Sequence, residues 1–317
     1  HHYVWVHYFK KWRIDPHIEN KKIVNVWCRT QSNNVAIINV RSILSEEYFY
    51  KIRPLKAEHL ELIKYFFHDA DDGLKKSVLE FIKFSRFISR VRSLDIKPSN
   101  DLEKALSLGE ANTLENLHTE REDDVRQILD SLANEELSIL DDQQNMLNFI
   151  DFFSHQIMRT KTMKNRVLAS FNRKNEKIGI LLDECWWLFS NSLGNNIGAS
   201  LYCRRNKDNH CLLINDTDEP FITSDTPVIN VFSGLETSNC KALSDDECDL
   251  YYPISPRIAY MISCSHRFPK GTFKVSIEIV NELNEKMAKN SAVYLISNEK
   301  EMVNKYKKYV GKSIFTE

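Results

Sequence analysis

The sequence predicts an α+β fold, with an N-terminal β-hairpin and a β-rich C-terminal third forming one mixed sheet around a long helical middle. Three observations predict it. Two short β-branched runs, Lys22 to Cys28 and Val35 to Val40, flank the polar Gln31-Ser-Asn-Asn34. From Pro54 to Leu193 apolar residues recur at helical spacing, first Leu60, Ile63 and Phe67, then Phe81, Phe84, Ile88 and Val91. Beyond Asn195-Asn-Ile-Gly the period changes back to strand-like runs. With 8 Gly and 8 Pro in 317 residues, the chain lacks the turn residues of a many-stranded sandwich and suits long helices.

Each element follows in order. The aromatic opening, with Tyr3, Trp5, Tyr8 and Trp12, reads as an edge strand that buries its rings, or as an aromatic surface on which bases stack. Pro98-Ser-Asn-Asp101 signals a helix start. A single helix is expected over Phe152 to Phe171. Strands are expected at Cys211–Asn215, Phe221–Asp225, Val228–Phe232, Tyr251–Ser255, Ile258–Ser263 and Phe273–Ile277, and closing helices at Asn281–Lys289 and Glu299–Tyr309. These divide the chain into 1–52, 53–195 and 196–317, three segments of one composite domain.

The balance of 43 basic against 44 acidic residues gives a net charge of −1, which supplies no global field for nucleic acid or an anionic membrane. The charge is nevertheless segregated. Residues 101–144 carry 13 acids and 3 bases, whereas 159–177 carry 7 bases and 1 acid and 75–92 carry 6 bases and 1 acid. The basic runs are either solvated helix faces or a surface for phosphates. The 7 cysteines contain no Cys-x-x-Cys pair and read as reduced cytoplasmic thiols. Cys203, His210 and Cys211 are poorly spaced for one metal, since adjacent residues on a strand face opposite ways. No apolar run is long enough to span a membrane, no signal peptide is visible, and an opening at His1 without Met reads as a lost natural start.

Four blocks carry a resemblance. They are His1-His-Tyr-Val-Trp-Val-His-Tyr-Phe-Lys-Lys-Trp12, Tyr48-Phe-Tyr50, Gln156-Ile-Met-Arg159-Thr160, and Phe221-Ile-Thr-Ser-Asp225-Thr-Pro227-Val228 followed by Tyr252-Pro253-Ile-Ser255-Pro256. In this order the chain resembles an uncharacterised, mainly bacterial family whose members begin His-His-Tyr-Val-Pro. Trp5 stands where that family has proline. The resemblance implies a bacterial or phage-associated cytosolic protein, a nuclease-like effector in conflict systems.

The candidate chemistry centres on those blocks. On one helix Gln156, Arg159 and Arg166 share a face, and two arginine forks with a neutral amide make a phosphate clamp. Pairing of Arg159 with the acidic stretch 101–144 is the structural alternative. Asp225 at a strand end would act as base or hold a divalent cation such as Mg²⁺ or Mn²⁺, with Thr223 and Ser224 on phosphate or a metal-bound water. A turn in which Asp225 binds nearby amides is the alternative. His2 is the candidate acid-base group of the opening. Asp216-Thr-Asp-Glu219 and Asp245-Asp-Glu247 lack the spacing of a calcium loop, Glu19-Asn-Lys21 is a short pattern expected by chance, and phosphate-binding glycine loops and a nucleophile elbow are missing.

The leading expectation is therefore a phosphodiesterase-type nuclease acting on RNA or DNA, with His2, Arg159 and Asp225 as catalytic groups and Gln156, Arg166, Thr223 and Ser224 as substrate-binding ones. The alternative is a non-catalytic module that binds another protein of a defence complex through its segregated charges. A hydrolase of a small nucleotide is a third reading.

Overall fold

The computed structural model describes residues 3–15, 17, 23–46, 49–93, 100–233, 244 and 246–312. The fold is α+β. The opening is not an edge strand: Tyr8–Trp12 form a 3-10 helix that buries Tyr8, Phe9 and Trp12. Aromatics at spacings of one and four meet one side of such a turn as readily as alternate residues meet one side of a strand. The predicted hairpin is present as β1 (Asn25–Arg29) and β2 (Val35–Asn39), closed by an Asn33 with φ 62°.

The helical middle comprises α1 (Ala57–Phe66), α2 (Asp72–Arg92), α3 (Asn100–Ala133), α4 (Gln143–Met158), α5 (Lys161–Asn172), α6 (Glu176–Glu184) and α7 (Trp186–Arg204). Two boundaries differ from the sequence reading. The helix expected over Phe152 to Phe171 breaks after Met158, because the Thr160 hydroxyl caps a new helix by accepting from Met163 N at 3.2 Å. Arg159 consequently lies at a junction, and Arg166 belongs to α5. Conversely, α7 runs straight through Gly194 and Gly198, where the sequence pattern has the helical middle end. These glycines lie one turn apart on the side packed against α4: a Cβ at Gly194 would meet His155 Nδ1 at 2.6 Å, and one at Gly198 would meet Ser154 Oγ at 2.8 Å. Their value here is the close approach of two helices, which outweighs their low helix propensity.

The C-terminal third contributes β3 (Asn209–Ile214), β4 (Thr223–Ser224), β5 (Ile229–Asn230), β6 (Asp249–Pro253), β7 (Ile258–Ser263), β8 (Gly271–Lys274), α8 (Ile277–Asn290), β9 (Leu295–Ser297) and α9 (Lys300–Tyr306). Two sheets form where one was expected. The N-terminal hairpin does join C-terminal strands, in an antiparallel sheet of order β2-β1-β9-β4. The mixed sheet is separate, with order β5-β6-β7-β3-β8, and only its β3–β8 pair is parallel. All six residues of β7 are buried, as in a strand covered on both faces. One cover is α4, whose Phe149 and Phe153 meet Tyr260 edge-on at 4.7 and 6.0 Å.

The α4–α7 contact yields a prediction. Gly194→Ala should cost about 1–3 kcal/mol through overpacking against His155, whereas Gly109→Ala, where a Cβ meets nothing, should stabilise slightly. Thermal melts of the two variants check this, and a Gly194→Ala protein as stable as the parent would show that the helices do not pack this closely.

Candidate functional site

On α4, Phe149, Phe152 and Phe153 face the core, and the same buried surface carries Ser154, His155 and Gln156. Polar groups buried on a helix need partners from neighbouring elements, and here three elements supply them. The carbonyl of Tyr3 accepts from Gln156 Nε2 at 3.3 Å and from Arg159 Nε at 3.1 Å. Glu122 on α3 accepts from an Arg159 terminal nitrogen at 2.6 Å. The Tyr50 hydroxyl donates to the Arg159 carbonyl at 3.1 Å. Arg159 is 3% exposed. Burial works to lower its guanidinium, the ion pair with Glu122 outweighs that, and the group stays charged; burial raises the Glu122 carboxyl against the pull of Arg159.

The opening segment also reaches the second sheet-forming block. Tyr8 stacks on Tyr252 at 5.2 Å, and its hydroxyl donates to the Pro253 carbonyl at 2.6 Å. With its one proton so used, Tyr8 must accept from Thr223 Oγ1, 2.6 Å away. Ser224 is likewise engaged within its own turn, accepting from Thr226 N at 3.0 Å and donating to Thr226 O at 3.2 Å.

Asp225 is 3% exposed, and its two oxygens accept from Ala292 N, Val293 N and Tyr294 N at 3.0, 2.7 and 3.0 Å. Burial raises its carboxyl and the backbone N–H groups oppose the rise. It thus binds amides, as the turn alternative anticipated, but those of the distant segment leading into β9. Arg166 holds the start of that same segment, donating to the Asn290 carbonyl at 2.9 Å and side chain at 3.3 Å, and Arg29 donates to the Val293 carbonyl at 2.7 Å. The opening touches both other blocks, Tyr3 meeting Gln156 and Arg159 and Tyr8 meeting Thr223. His2, together with Tyr48, lies outside the described residues.

Arg159 pairs with the acidic stretch 101–144, as the structural alternative has it, but the sequence does not single out which residues of α3 take part. His118 and Glu122 occupy an otherwise apolar stripe with Leu114, Val125 and Leu129, and such an interruption was the available signal. His118 packs against Tyr50 at 4.8 Å and His155 at 5.8 Å. His155 Nε2 contacts Asn195 Oδ1 at 2.9 Å and Asp151 at 3.4 Å, and Arg121 donates to Asp151 at 2.7 Å. Burial and the nearby arginines lower both imidazoles, that of His155 to about 3. Among the described residues no group of three His, Cys, Asp or Glu side chains is arranged to hold a metal ion. Cys211 is buried and its thiol faces the Met261 carbonyl, while Cys203 is exposed, so the pair shares no site with His210.

Two outcomes follow from this geometry. Asp225→Asn should destabilise the fold by about 3 kcal/mol, because an amide NH₂ would face a backbone N–H in place of a charged acceptor; a variant melting like the parent would show these bonds to be dispensable. The imidazole of His155, ordinarily near 6.5, is held neutral in the fold, so the stability it contributes is complete above pH 6.5 and falls as pH drops towards about 3. Proton uptake on unfolding at pH 5.5, measured by calorimetry in buffers of different ionisation heat, should fall by nearly one in His155→Gln, a change in slope of about 1.4 kcal/mol per pH unit. Equal uptake would show that His155 is already protonated in the fold.

Comparison with known proteins adds one finding. Searches of curated proteins and of solved structures returned no match. Residues 1–301 match a family described only as proteins of unknown function, DUF4238. The convergence of the opening, the Gln156–Thr160 junction and the Thr223–Asp225 strand end is therefore the geometry of a protein that belongs to the DUF4238 family.

Proposed function

We propose that the chain is a non-catalytic interaction module that binds an acidic, amphipathic segment of a partner protein through the outer face of α2. The observation that carries this reading is the stripe of Lys76, Leu79, Lys83, Arg86, Phe87 and Arg90, which lie within about 100° of one another on the helix. Leu79 and Phe87 are 52% and 61% exposed amid the basic groups, whereas Leu74, Val78, Ser85 and Ile88 bury the opposite side. Glu80 at the edge of the stripe pairs with Lys83 at 2.8 Å, and the bases outnumber it, so the apolar anchors suit a partner whose apolar residues are accompanied by acids. The reading also accounts for the interior, where Arg159, Thr223, Ser224 and Asp225 have partners within the chain and serve the fold.

A photoreactive residue in place of Lys83, introduced in cells that naturally express the chain, should give a discrete protein adduct that disappears when Phe87→Asp is added. The same probe in place of Tyr65, outside the stripe, should give none. An adduct that persists in Phe87→Asp, or no adduct, would overturn the reading. Salt-sensitive binding of oligonucleotides to the stripe would instead identify nucleic acid as the partner.

A nuclease-like phosphodiesterase acting on RNA or DNA, in bacterial anti-phage defence or a toxin system, is a second reading. It is favoured by the contacts that the opening makes with both other blocks, Tyr3 with Gln156 and Arg159 and Tyr8 with Thr223, His2 being joined to Tyr3 by one peptide bond. On this reading Gln156 and Arg159 exchange the Tyr3 carbonyl for a phosphate. Labelled RNA and DNA should then be cleaved with Mg²⁺ or Mn²⁺, and Arg159→Lys should remove cleavage from a protein that still folds. Absence of cleavage by the folded parent with either ion and with chelator would eliminate it.

A further inference from the structure

An open cavity of about 370 Å³ lies away from the Tyr3 region, where the turn before α4, the end of α7, the start of β3 and the approach to β8 meet. Its apolar wall is Leu137, Leu140 and Met146, and Arg205 and Lys270 bring two cations to it. Arg205 is preset: its guanidinium lies over the Tyr202 ring at 4.1 Å and donates once to the Tyr202 carbonyl at 2.8 Å, which leaves other N–H groups for a ligand. The floor includes His210, which is 5% exposed. Its Nδ1 is committed to the Tyr260 hydroxyl, and its Nε2 is buried with no hydrogen-bond partner. An unsatisfied imidazole nitrogen on a residue that lines the same cavity as two cations is what a bound oxyanion would complete.

We propose that this cavity is a binding site for a small organic oxyanion, a phosphate monoester or a carboxylate, whose apolar body rests on Leu137, Leu140 and Met146 while Arg205, Lys270 and His210 Nε2 hold the charged group. Burial first, and Lys270 next to it, keep the imidazole largely neutral against the opposing charge of Asp208. In the tautomer in which Tyr260 donates to Nδ1, the proton of the neutral ring sits on Nε2, where it can be donated to an anion; this is the tautomer the site requires. Asp141 is on the lining as well, so the net local charge is +1 rather than +2, and a ligand hydroxyl or amine has an acceptor there. The cavity volume falls in the range of small-molecule sites. It shares no residue with the α2 stripe, so it stands independently of the proposed interaction.

Calorimetric titration of the whole chain with phenyl phosphate, benzoate and neutral benzyl alcohol tests the assignment. At least one anion should bind with 1:1 stoichiometry while benzyl alcohol does not, and the better anion identifies the oxyanion class. Lys270→Gln, at an exposed position, should weaken that binding about tenfold without lowering the melting temperature, and adding Arg205→Gln should weaken it further. His210→Gln, which keeps a polar group on the floor, should lose less affinity than His210→Phe. Lack of saturable binding by both anions, equal binding of benzyl alcohol, or undiminished binding in the folded Lys270→Gln protein would overturn the proposal.

Discussion

The buried guanidinium of Arg159 is the constraint on which much of the structure depends. A charge taken out of water costs several kcal/mol unless it is paired and its N–H groups are satisfied. Here Glu122 supplies the charge and the Tyr3 carbonyl an acceptor, while Tyr50 binds the Arg159 carbonyl. One residue at a helix junction therefore fixes positions of the chain near its opening, after the hairpin and on α3. Removing Glu122 alone would leave the cation buried without its counter-charge. Apolar packing on both sides of α4 then completes what the polar groups orient.

Much of the architecture was legible because periodicity and burial are coupled. The hairpin, the helical middle, the strand runs and both closing helices were each marked by where apolar residues fall. What escaped notice were interactions whose meaning is set by a distant partner. Thr160 looked like a residue within a helix, but its side chain caps α5 and separates Arg159 from Arg166. Gly194 and Gly198 looked like a boundary, since glycine usually is one; only the nearness of His155 and Ser154 explains their presence inside α7. The three residues of β9 are too few to show a period, and they unite the two ends of the chain in one sheet. Within the candidate site, block order points to the opening lying beside the Gln156–Arg159 junction, as the Tyr3 carbonyl does, whereas nothing in the acidic run marks out His118 and Glu122 as the groups that meet it.

The segregated charges find partners within the chain, most of them at its surface and not all in the acidic stretch. In the basic run at 159–177, Arg159 takes Glu122, but Lys161 pairs with Glu46, Lys164 with Asp183 and Lys177 with Glu58. At the end of α2, Arg92 takes Glu103 and Glu110 from the acidic stretch. A basic run in sequence is thus a poor guide to a basic surface. On the outward face of α2 the bases outnumber the acids, Glu80 pairs with Lys83, and two large apolar side chains lie among them.

This distinction separates the regions that hold the protein together from those able to recognise something else. Around Tyr3, Thr223 and Asp225 the hydrogen bonds run between elements far apart in sequence, so a ligand there would have to displace contacts that maintain the fold. At His210 the situation is reversed: the ring is fixed by Tyr260 on one side and leaves a buried nitrogen unsatisfied on the other, beside a cavity open to solvent. Desolvation has already been incurred at that nitrogen by folding, and an incoming oxyanion would recover a hydrogen bond without breaking one. A binding site needs such unspent capacity held in a fixed geometry, and the strands and helices that saturate the interior are what hold it fixed.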